Sequence, residues 1–292
     1  MSVESTPVEF RSGGDLCRGR LFAAVGDGMR TRSGVPCVVL GHGFGGTMEA
    51  RLTAFAERYA EAGCHALAFD YRHFGASDGE PRQLLSIRRQ LQDWHAAIRH
   101  ARFLPGVDPL RMALMGTSFS GGHVIRVAAK DGEIAAVISQ CPMMDGLVAL
   151  RNVADYAGWG YLARIVAYGL RDLLDPRGCM VPIVGPPGSV AAMTTPDAEP
   201  GFMAIAPPEF RNEVRARIGL FVGGYRPGLA IRRVPGPVLI QVCENDSVAP
   251  VAAAEAAARR IGERATVVRY PIGHFDVYLG DAFERSVADQ LA

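Results

Sequence analysis

The chain has 292 residues, 49% of them hydrophobic, and its 31 basic and 30 acidic residues leave a formal net charge of +1. This balance argues against binding to nucleic acids or to acidic lipids, because both need a clustered excess of basic side chains. The N-terminus shows no signal-peptide pattern and no uncharged apolar run is long enough to span a membrane, so we expect a cytoplasmic protein.

Short apolar runs alternate with longer helical patterns along most of the chain. The first two predicted strands, residues 8–10 and 19–23, are expected to form an antiparallel hairpin at a sheet edge. Alternation of buried strands with amphipathic helices is typical of a mostly parallel sheet covered by helices on both faces. The predicted buried strands are 37–40, 65–69, 112–115, 135–138, 238–242 and 265–270, and the predicted helices are 48–62, 87–102, 120–130, 251–261 and 282–291.

The strand–helix alternation breaks in the stretch from residue 142 to residue 235. This stretch shows helical patterns at 146–157, 161–174 and 209–221, with a Pro- and Gly-rich segment at 181–189 between them. We therefore predict a core formed by residues 1–141 and 236–292. Residues 142–235 are predicted to be a helical lid inserted into that core.

A nucleophile is predicted where the strand at 112–115 runs into the sequence Gly-Thr-Ser-Phe-Ser-Gly-Gly and then into a helix. A tight strand–turn–helix exposes a serine hydroxyl above the sheet, and small flanking residues allow the strand and the helix to pack closely. Gly116 stands two residues before Ser118, which favours Ser118 as the nucleophile. Ser120 occupies the place where the G-x-S-x-G pattern has a glycine, and it stays an alternative.

Two backbone amides are expected to stabilise the oxyanion that develops when the serine attacks. One is the amide of Phe119, directly after the nucleophile, and the other is the amide of Phe44 in the loop Gly-His-Gly-Phe-Gly-Gly. Glycines in this loop let the backbone approach a ligand closely. The loop matches neither common phosphate-binding glycine pattern, which disfavours nucleotide binding. We interpret His42 in the same loop as a structural brace.

The acid and the base are predicted from the loops that follow the last two buried strands. Asp246 lies just past the first of these strands, with Glu244 as the nearest alternative and a helix-capping role as another interpretation. His274 follows the last strand, and histidine suits a general base because its unperturbed pKa is about 6.5. His73, also in a loop, stays a minor alternative base. Asp246 and His274 are both expected to converge on Ser118.

These motifs resemble those of the α/β-hydrolase superfamily in their order and approximate spacing. Within the superfamily the chain is most similar to dienelactone-hydrolase-like and X-prolyl-peptidase-like esterases. The resemblance covers about residues 8–140 and 235–292, and it implies the α/β-hydrolase fold with residues 142–235 in the place of its lid. The motifs that carry it are Leu40 to Gly46, Asp70 to Ser77, Gly116 to Gly122, Asn245-Asp246 and Gly273 to Phe275.

The predicted activity is hydrolysis of a carboxylic ester, lactone or thioester through an acyl-Ser118 intermediate, with His274 and Asp246 completing a triad. Peptidase, C–C-bond hydrolase and acyltransferase chemistry stay open, because the same triad serves all of them, and so does a non-catalytic small-molecule receptor. The expected partner is a small-molecule substrate, and the interpretation allows a homodimer.

No cofactor and no metal site are expected. The six cysteines show no C-x-x-C spacing, which argues against a zinc site and against a thioredoxin-like redox pair. Many apolar and aromatic residues lie in the predicted lid. They either pack the lid onto the core or line a site for an apolar acyl or alcohol group.

Overall fold

The apolar runs of the sequence form strands in the computed structural model, which describes residues 3–292. Eight strands join in one sheet, and two short ones pair separately. The strands are β1 (Ser5–Ser12), β2 (Asp15–Phe22), β3 (Val35–Gly41), β4 (His65–Phe69), β5 (Val107–Thr117), β6 (Ala136–Gln140), β7 (Met180–Val181), β8 (Val214–Arg215), β9 (Val238–Cys243) and β10 (Ala265–Tyr270). Each predicted strand is therefore present, with its bounds shifted by no more than a few residues at most ends.

The large sheet has the strand order β1-β2-β4-β3-β5-β6-β9-β10. β1 and β2 form the predicted antiparallel hairpin at one edge, and β2 pairs antiparallel with β4. The remaining neighbours pair in parallel, and β3 is buried along its whole length, as expected for a strand covered on both faces. Parallel strands place their carboxyl ends at one edge of the sheet, which is where ligands bind in such folds.

Helices cover both faces of this sheet. The amphipathic pattern at Ile87–Arg102 forms one of them with the predicted bounds, and its buried residues include Trp94, Ala97 and Ile98 on one face. The helices are α1 (Leu52–Glu61), α2 (Ile87–Arg102), α3 (Phe119–Asp131), α4 (Gly146–Ala157), α5 (Trp159–Leu174), α6 (Ala198–Ile205), α7 (Ile218–Phe221), α8 (Val251–Ile261) and α9 (Gly280–Leu291). Among residues 3–292, no helix is long and apolar enough to cross a bilayer.

The segment between β6 and β9 that we predict to be an inserted lid, residues 142–235, contains α4 to α7 and the two-stranded ribbon of β7 and β8. This segment is called the insertion below. The predicted helix at 209–221 is wrong over most of its length. The Asn212 side chain accepts hydrogen bonds from the amides of Ile183 and Val184, both at 3.0 Å, and β8 pairs antiparallel with β7. Only α7 remains helical, because contacts with a distant segment outweigh the local helical preference.

Helix α6, whose interior contains Pro200 and Gly201, was not predicted from the sequence. Pro200 is the third residue of the helix, in the first turn, where a missing N–H removes no intrahelical hydrogen bond. A Cβ at Gly201 would overlap the ring of Phe275, so this glycine permits a close contact between α6 and the loop after β10. Tertiary packing therefore accounts for a helix that local propensity disfavours.

Candidate active site

Three side chains from three separate loops meet at the carboxyl edge of the sheet. Ser118 follows β5, Asp246 follows β9 and His274 follows β10. The Nε2 atom of His274 lies 3.0 Å from the Oγ of Ser118, and its Nδ1 atom lies 2.6 Å from Oδ2 of Asp246. Both distances fall within the range of hydrogen bonds. The structure thus joins a hydroxyl, an imidazole and a carboxylate in one chain of contacts.

Ser118 adopts a backbone conformation that residues other than glycine rarely show, with φ 56° and ψ −118°. Its amide donates to the carbonyl oxygen of Gln140 at 2.8 Å, and its own carbonyl accepts from the amides of Gly121 and Met143, each at 3.0 Å. Such strain persists only where the surroundings over-determine the conformation. The turn between β5 and α3 therefore holds the Ser118 side chain in a defined position.

The two serines of the turn lie in different environments. Ser120 is fully buried, and its Oγ lies 2.6 Å from the Tyr71 hydroxyl and accepts from the Trp94 indole N–H at 3.2 Å. A Cβ at Gly116 would overlap the carbonyl oxygen of Ser120, so a glycine is needed where the strand passes the helix. Ser118, by contrast, is partly accessible and contacts the imidazole.

The glycine-rich loop after β3 passes directly beside the nucleophile. A Cβ at Gly43 would stand 3.0 Å from the Cβ of Ser118, which is closer than most side chains tolerate. The rings of Phe44 and Phe119 meet edge to face, with their centroids 5.6 Å apart. Phe119 begins α3, so its amide has no acceptor within the helix. The two residues predicted to supply amides for an oxyanion are therefore neighbours.

Burial and a neighbouring carboxylate have opposite effects on the pKa of His274. The side chains of His274 and Asp246 are each 2% exposed. Burial disfavours the imidazolium, but the charges of Asp246 and Cys141 and the hydrogen bond to Asp246 outweigh that effect and raise the pKa of His274 to about 9. The other oxygen of Asp246 accepts from the amides of Val248 and Ala249 at 2.8 and 2.7 Å, which fixes the orientation of the carboxylate.

The structure places the alternative acid and base candidates away from this chain of contacts. Glu244 is exposed. His73 lies 2.8 Å from the Arg89 guanidinium, and burial followed by that positive charge lowers the pKa of His73. His42 is buried, its Nδ1 lies 3.0 Å from the Gly43 carbonyl oxygen, and burial lowers its pKa to about 4. A neutral His42 thus donates to the loop backbone, in agreement with the predicted brace.

A buried network behind Phe119 was not predicted from the sequence. The Nε2 of His123 lies 3.0 Å from the side-chain oxygen Oε1 of Gln90, and its Nδ1 lies 2.7 Å from the Tyr225 hydroxyl. Because that oxygen of Gln90 can only accept, Nε2 donates to it and Nδ1 accepts from Tyr225. Burial lowers the pKa of His123 to about 3, so the ring is neutral. Tyr225 in this way fastens the insertion to α3, and no local sequence signal marks such a pair.

Thr117 and Tyr278 form a second unpredicted contact, a hydrogen bond between their hydroxyls directly beneath the turn. Tyr278 belongs to the segment that follows His274, so this bond ties the end of β5 to the loop that carries the imidazole.

Within residues 3–292, no three His, Cys, Asp or Glu side chains are grouped so that they could hold a metal ion.

Comparison with known proteins identifies relatives of this chain. Residues 38–288 match a family model described as the alpha/beta hydrolase family. The quorum-quenching protein AidA of Acinetobacter baumannii is 41% identical over 286 residues, which are 97% of this chain and 92% of that protein. The thiohydrolase aneE of Aspergillus aculeatus is 31% identical over 199 residues, 68% of this chain and 58% of its own length. The crystal structure of the alpha/beta hydrolase GrgF from Penicillium sp. sh18 superposes with a TM-score of 0.80 at 24% identity, covering 99% of this chain and 97% of that one. This structural likeness shows the fold.

Proposed function

The chain belongs to the alpha/beta hydrolase family and is an enzyme of that class, and we propose that it cleaves carboxylic esters, lactones or thioesters through an acyl-Ser118 intermediate. The observation that carries the proposal is the continuous chain of contacts from Ser118 through His274 to Asp246. A serine hydroxyl is a weak nucleophile until an adjacent base removes its proton, and this geometry provides the base.

In the first half of the proposed reaction, the Oγ of Ser118 attacks the carbonyl carbon while Nε2 of His274 takes the hydroxyl proton. Asp246 keeps the imidazole in the required tautomer and stabilises the imidazolium. The negative charge that develops on the carbonyl oxygen is stabilised by the amides of Phe44 and Phe119. When the tetrahedral intermediate collapses, His274 returns the proton to the departing alcohol or thiol.

In the second half, water replaces the departed group. His274 removes a proton from this water, which attacks the acyl carbon and forms a second tetrahedral intermediate at the same oxyanion position. Collapse releases the carboxylic acid and returns the proton to Ser118. The thiohydrolase among the relatives supports the inclusion of thioesters in the substrate range. The separation of Ser120 from the imidazole supports Ser118 as the nucleophile.

A fluorophosphonate probe and a pair of serine variants test the proposal. We expect the probe to label Ser118, and we expect Ser118→Ala to lower kcat for ethyl butanoate by at least about 10³-fold, because removal of a triad serine removes the nucleophile itself. Ser120→Ala is the matched control, since it removes a hydroxyl from the same turn without touching the contacts of His274. It should keep both labelling and hydrolysis.

The proposal is wrong if Ser118→Ala hydrolyses the ester at the rate of the unaltered enzyme, or if the label is found on another residue. Parallel assays with an amide and a β-diketone separate ester cleavage from peptidase and C–C-bond hydrolase activity. An added acceptor alcohol reveals transfer of the acyl group to a molecule other than water.

A further inference from the structure

Two cavities open at Ser118, and they differ in volume. The larger measures about 140 Å³ and lies between the sheet edge and the insertion, while the smaller measures about 30 Å³. Phe44 and Met193 line both cavities together with Ser118. A substrate whose carbonyl carbon sits at Ser118 therefore extends in two directions, one roomy and one narrow.

We propose that the larger cavity binds the acyl group and the smaller one the leaving group, so that the enzyme prefers uncharged apolar acyl groups of about six carbons on a small alcohol or thiol. This inference rests on the proposed function, since it assumes that an acyl group is transferred to Ser118. It also chooses between the two possibilities that the sequence left open, an apolar acyl group and an apolar alcohol.

The position of His274 determines which cavity binds the leaving group and which binds the acyl group. His274 must protonate the departing group and later deprotonate the attacking water, so both must lie on its side of the carbonyl carbon. His274 lines the smaller cavity. The larger cavity is lined by Phe119 and not, within the described residues, by His274. The leaving group and the water therefore occupy the smaller cavity, and the acyl chain occupies the larger one.

The volumes set the size of each group. An apolar protein cavity of about 150 Å³ holds a benzene ring, and about 30 Å³ is the share of one water molecule in the liquid. The larger cavity thus accommodates a chain or ring of about six carbons, and the smaller one suits water or a short alcohol. A bulky leaving group would have to extend past the smaller cavity.

The lining of the larger cavity sets the chemistry of the acyl group. No charged side chain lines it among the described residues. An acyl group that carries a second carboxylate would lose its hydration there without gaining a partner, which disfavours such substrates. Much of the wall is aliphatic and comes from α4, α5 and α7, namely Leu150, Val153, Leu162, Ile165 and Ile218.

Helix α5 offers a matched pair of positions for a test. Leu162 and Ile165 line the larger cavity, whereas Val166 on the same helix is 44% exposed and points to solvent. Leu162→Trp should fill the cavity, and Val166→Trp should introduce the same side chain without entering it. Ala50 lines the smaller cavity, so Ala50→Leu alters the other side of the carbonyl carbon.

The experiment measures kcat/KM for two series of substrates by titration of the released acid. In the first, ethyl esters run from acetyl to decanoyl. We expect kcat/KM to rise about fourfold for each added methylene up to about hexanoyl and then to level off, because each buried methylene contributes a constant increment until the cavity is full. In the second series, hexanoyl esters run from ethyl to hexyl alcohol, and no comparable rise is expected.

The variants are compared by the ratio of kcat/KM for hexanoyl to that for acetyl ethyl ester, which does not depend on how much enzyme is folded. Leu162→Trp should lower this ratio at least about tenfold, since a pocket that loses room for a few methylenes loses this much discrimination. Val166→Trp should leave it unchanged. Ile165→Ala should extend the rise of kcat/KM to longer acyl chains. Ala50→Leu should change the dependence on the length of the alcohol and leave the ratio unchanged.

Three outcomes overturn the assignment of the cavities: a flat acyl series in an enzyme that cleaves esters, a Leu162→Trp variant that changes the alcohol series and not the acyl series, or better cleavage of an acyl group bearing a terminal carboxylate than of hexanoyl. If no ester or thioester is cleaved and the phosphonate fails to label Ser118, the proposed function fails instead. The two failures are thereby distinguishable.

Discussion

At the scale of single residues, the proposed mechanism makes the activation of Ser118 depend on the protonation state of His274. The imidazole must be neutral to accept the hydroxyl proton, and Asp246 stabilises its protonated form. The same carboxylate is held by two backbone amides and by the imidazole. The activity of the enzyme should therefore depend on pH through this pair.

We predict that kcat/KM falls with decreasing pH at a point above 6.5, because the pKa of His274 is raised to about 9. In Asp246→Asn the negative charge is lost, so the pKa of His274 should fall and the acidic limb should move to lower pH. The maximal rate should drop by about 10⁴-fold, as expected when the imidazole loses the group that orients it. Rate profiles from pH 5 to pH 10 measure both effects.

Glu244→Gln is the control for this prediction, because it removes an exposed carboxylate two residues away. Its profile should coincide with that of the unaltered enzyme. A limb that stays in place in Asp246→Asn, or that moves in Glu244→Gln, would show that the partner of the imidazole has been assigned to the wrong residue.

At the scale of elements, the turn from β5 to α3 is tightly constrained by its neighbours. Its strand passes the helix so closely that Gly116 has no room for a side chain, and Ser118 takes a strained backbone conformation. The glycine pattern predicted this turn from the sequence, because the need for small residues is local. The identity of the residues that restrain it, such as Gln140 and Met143, depends on the arrangement of neighbouring strands.

We predict that Gly116→Ala destabilises the protein by about 1–3 kcal/mol, the usual result of forcing extra atoms into a packed region. Gly224→Ala is the control, because nothing lies within 4 Å of a Cβ at that position and its φ is not in the left-handed region. It should change the free energy of unfolding by less than about 1 kcal/mol. Urea denaturation measures both, and equal midpoints for the two variants would contradict the close packing inferred here.

Two elements of the insertion differ from the sequence-based prediction for the same physical reason. The segment 209–221 has a helical pattern but mostly does not form a helix, because Asn212 and β8 find partners in the segment near β7. Conversely, α6 forms in spite of Pro200 and Gly201. In both places, contacts with distant parts of the chain outweigh the preferences of the local sequence.

At the scale of the whole molecule, the insertion is held together by a buried carboxylate. Asp172 on α5 is fully buried; it accepts from the Arg217 guanidinium at 2.6 Å and from the amides of Cys179 and Arg217 at 2.8 and 3.0 Å. It thereby joins α5 to the segments on either side of the ribbon. Since residues of α5 and α7 line the larger cavity, this carboxylate supports the wall of the proposed acyl site.

We predict that Asp172→Ala lowers the free energy of unfolding by about 1–3 kcal/mol, because it removes the acceptor of the Cys179 and Arg217 amides and of the Arg217 guanidinium. It should also make the insertion more sensitive to limited proteolysis. Asp155→Ala, an exposed position on α4, should stay within about 0.5 kcal/mol. If the two variants unfold alike and are cleaved at the same rate, Asp172 does not organise the insertion.

The sequence by itself determined the fold class, the order of the strands and helices in the core, and the loops that carry Ser118, Asp246 and His274. These features depend on hydrophobic periodicity and on glycines at turns, which are properties of neighbouring residues. Only the tertiary structure decided that Ser120 faces the core, that Asp246 and not Glu244 contacts the imidazole, and that the insertion contains a ribbon. The tertiary structure also determined the unequal volumes of the two cavities at Ser118. The physical reason is that contact partners and cavity walls come from residues far apart in the chain, and their positions follow from packing alone.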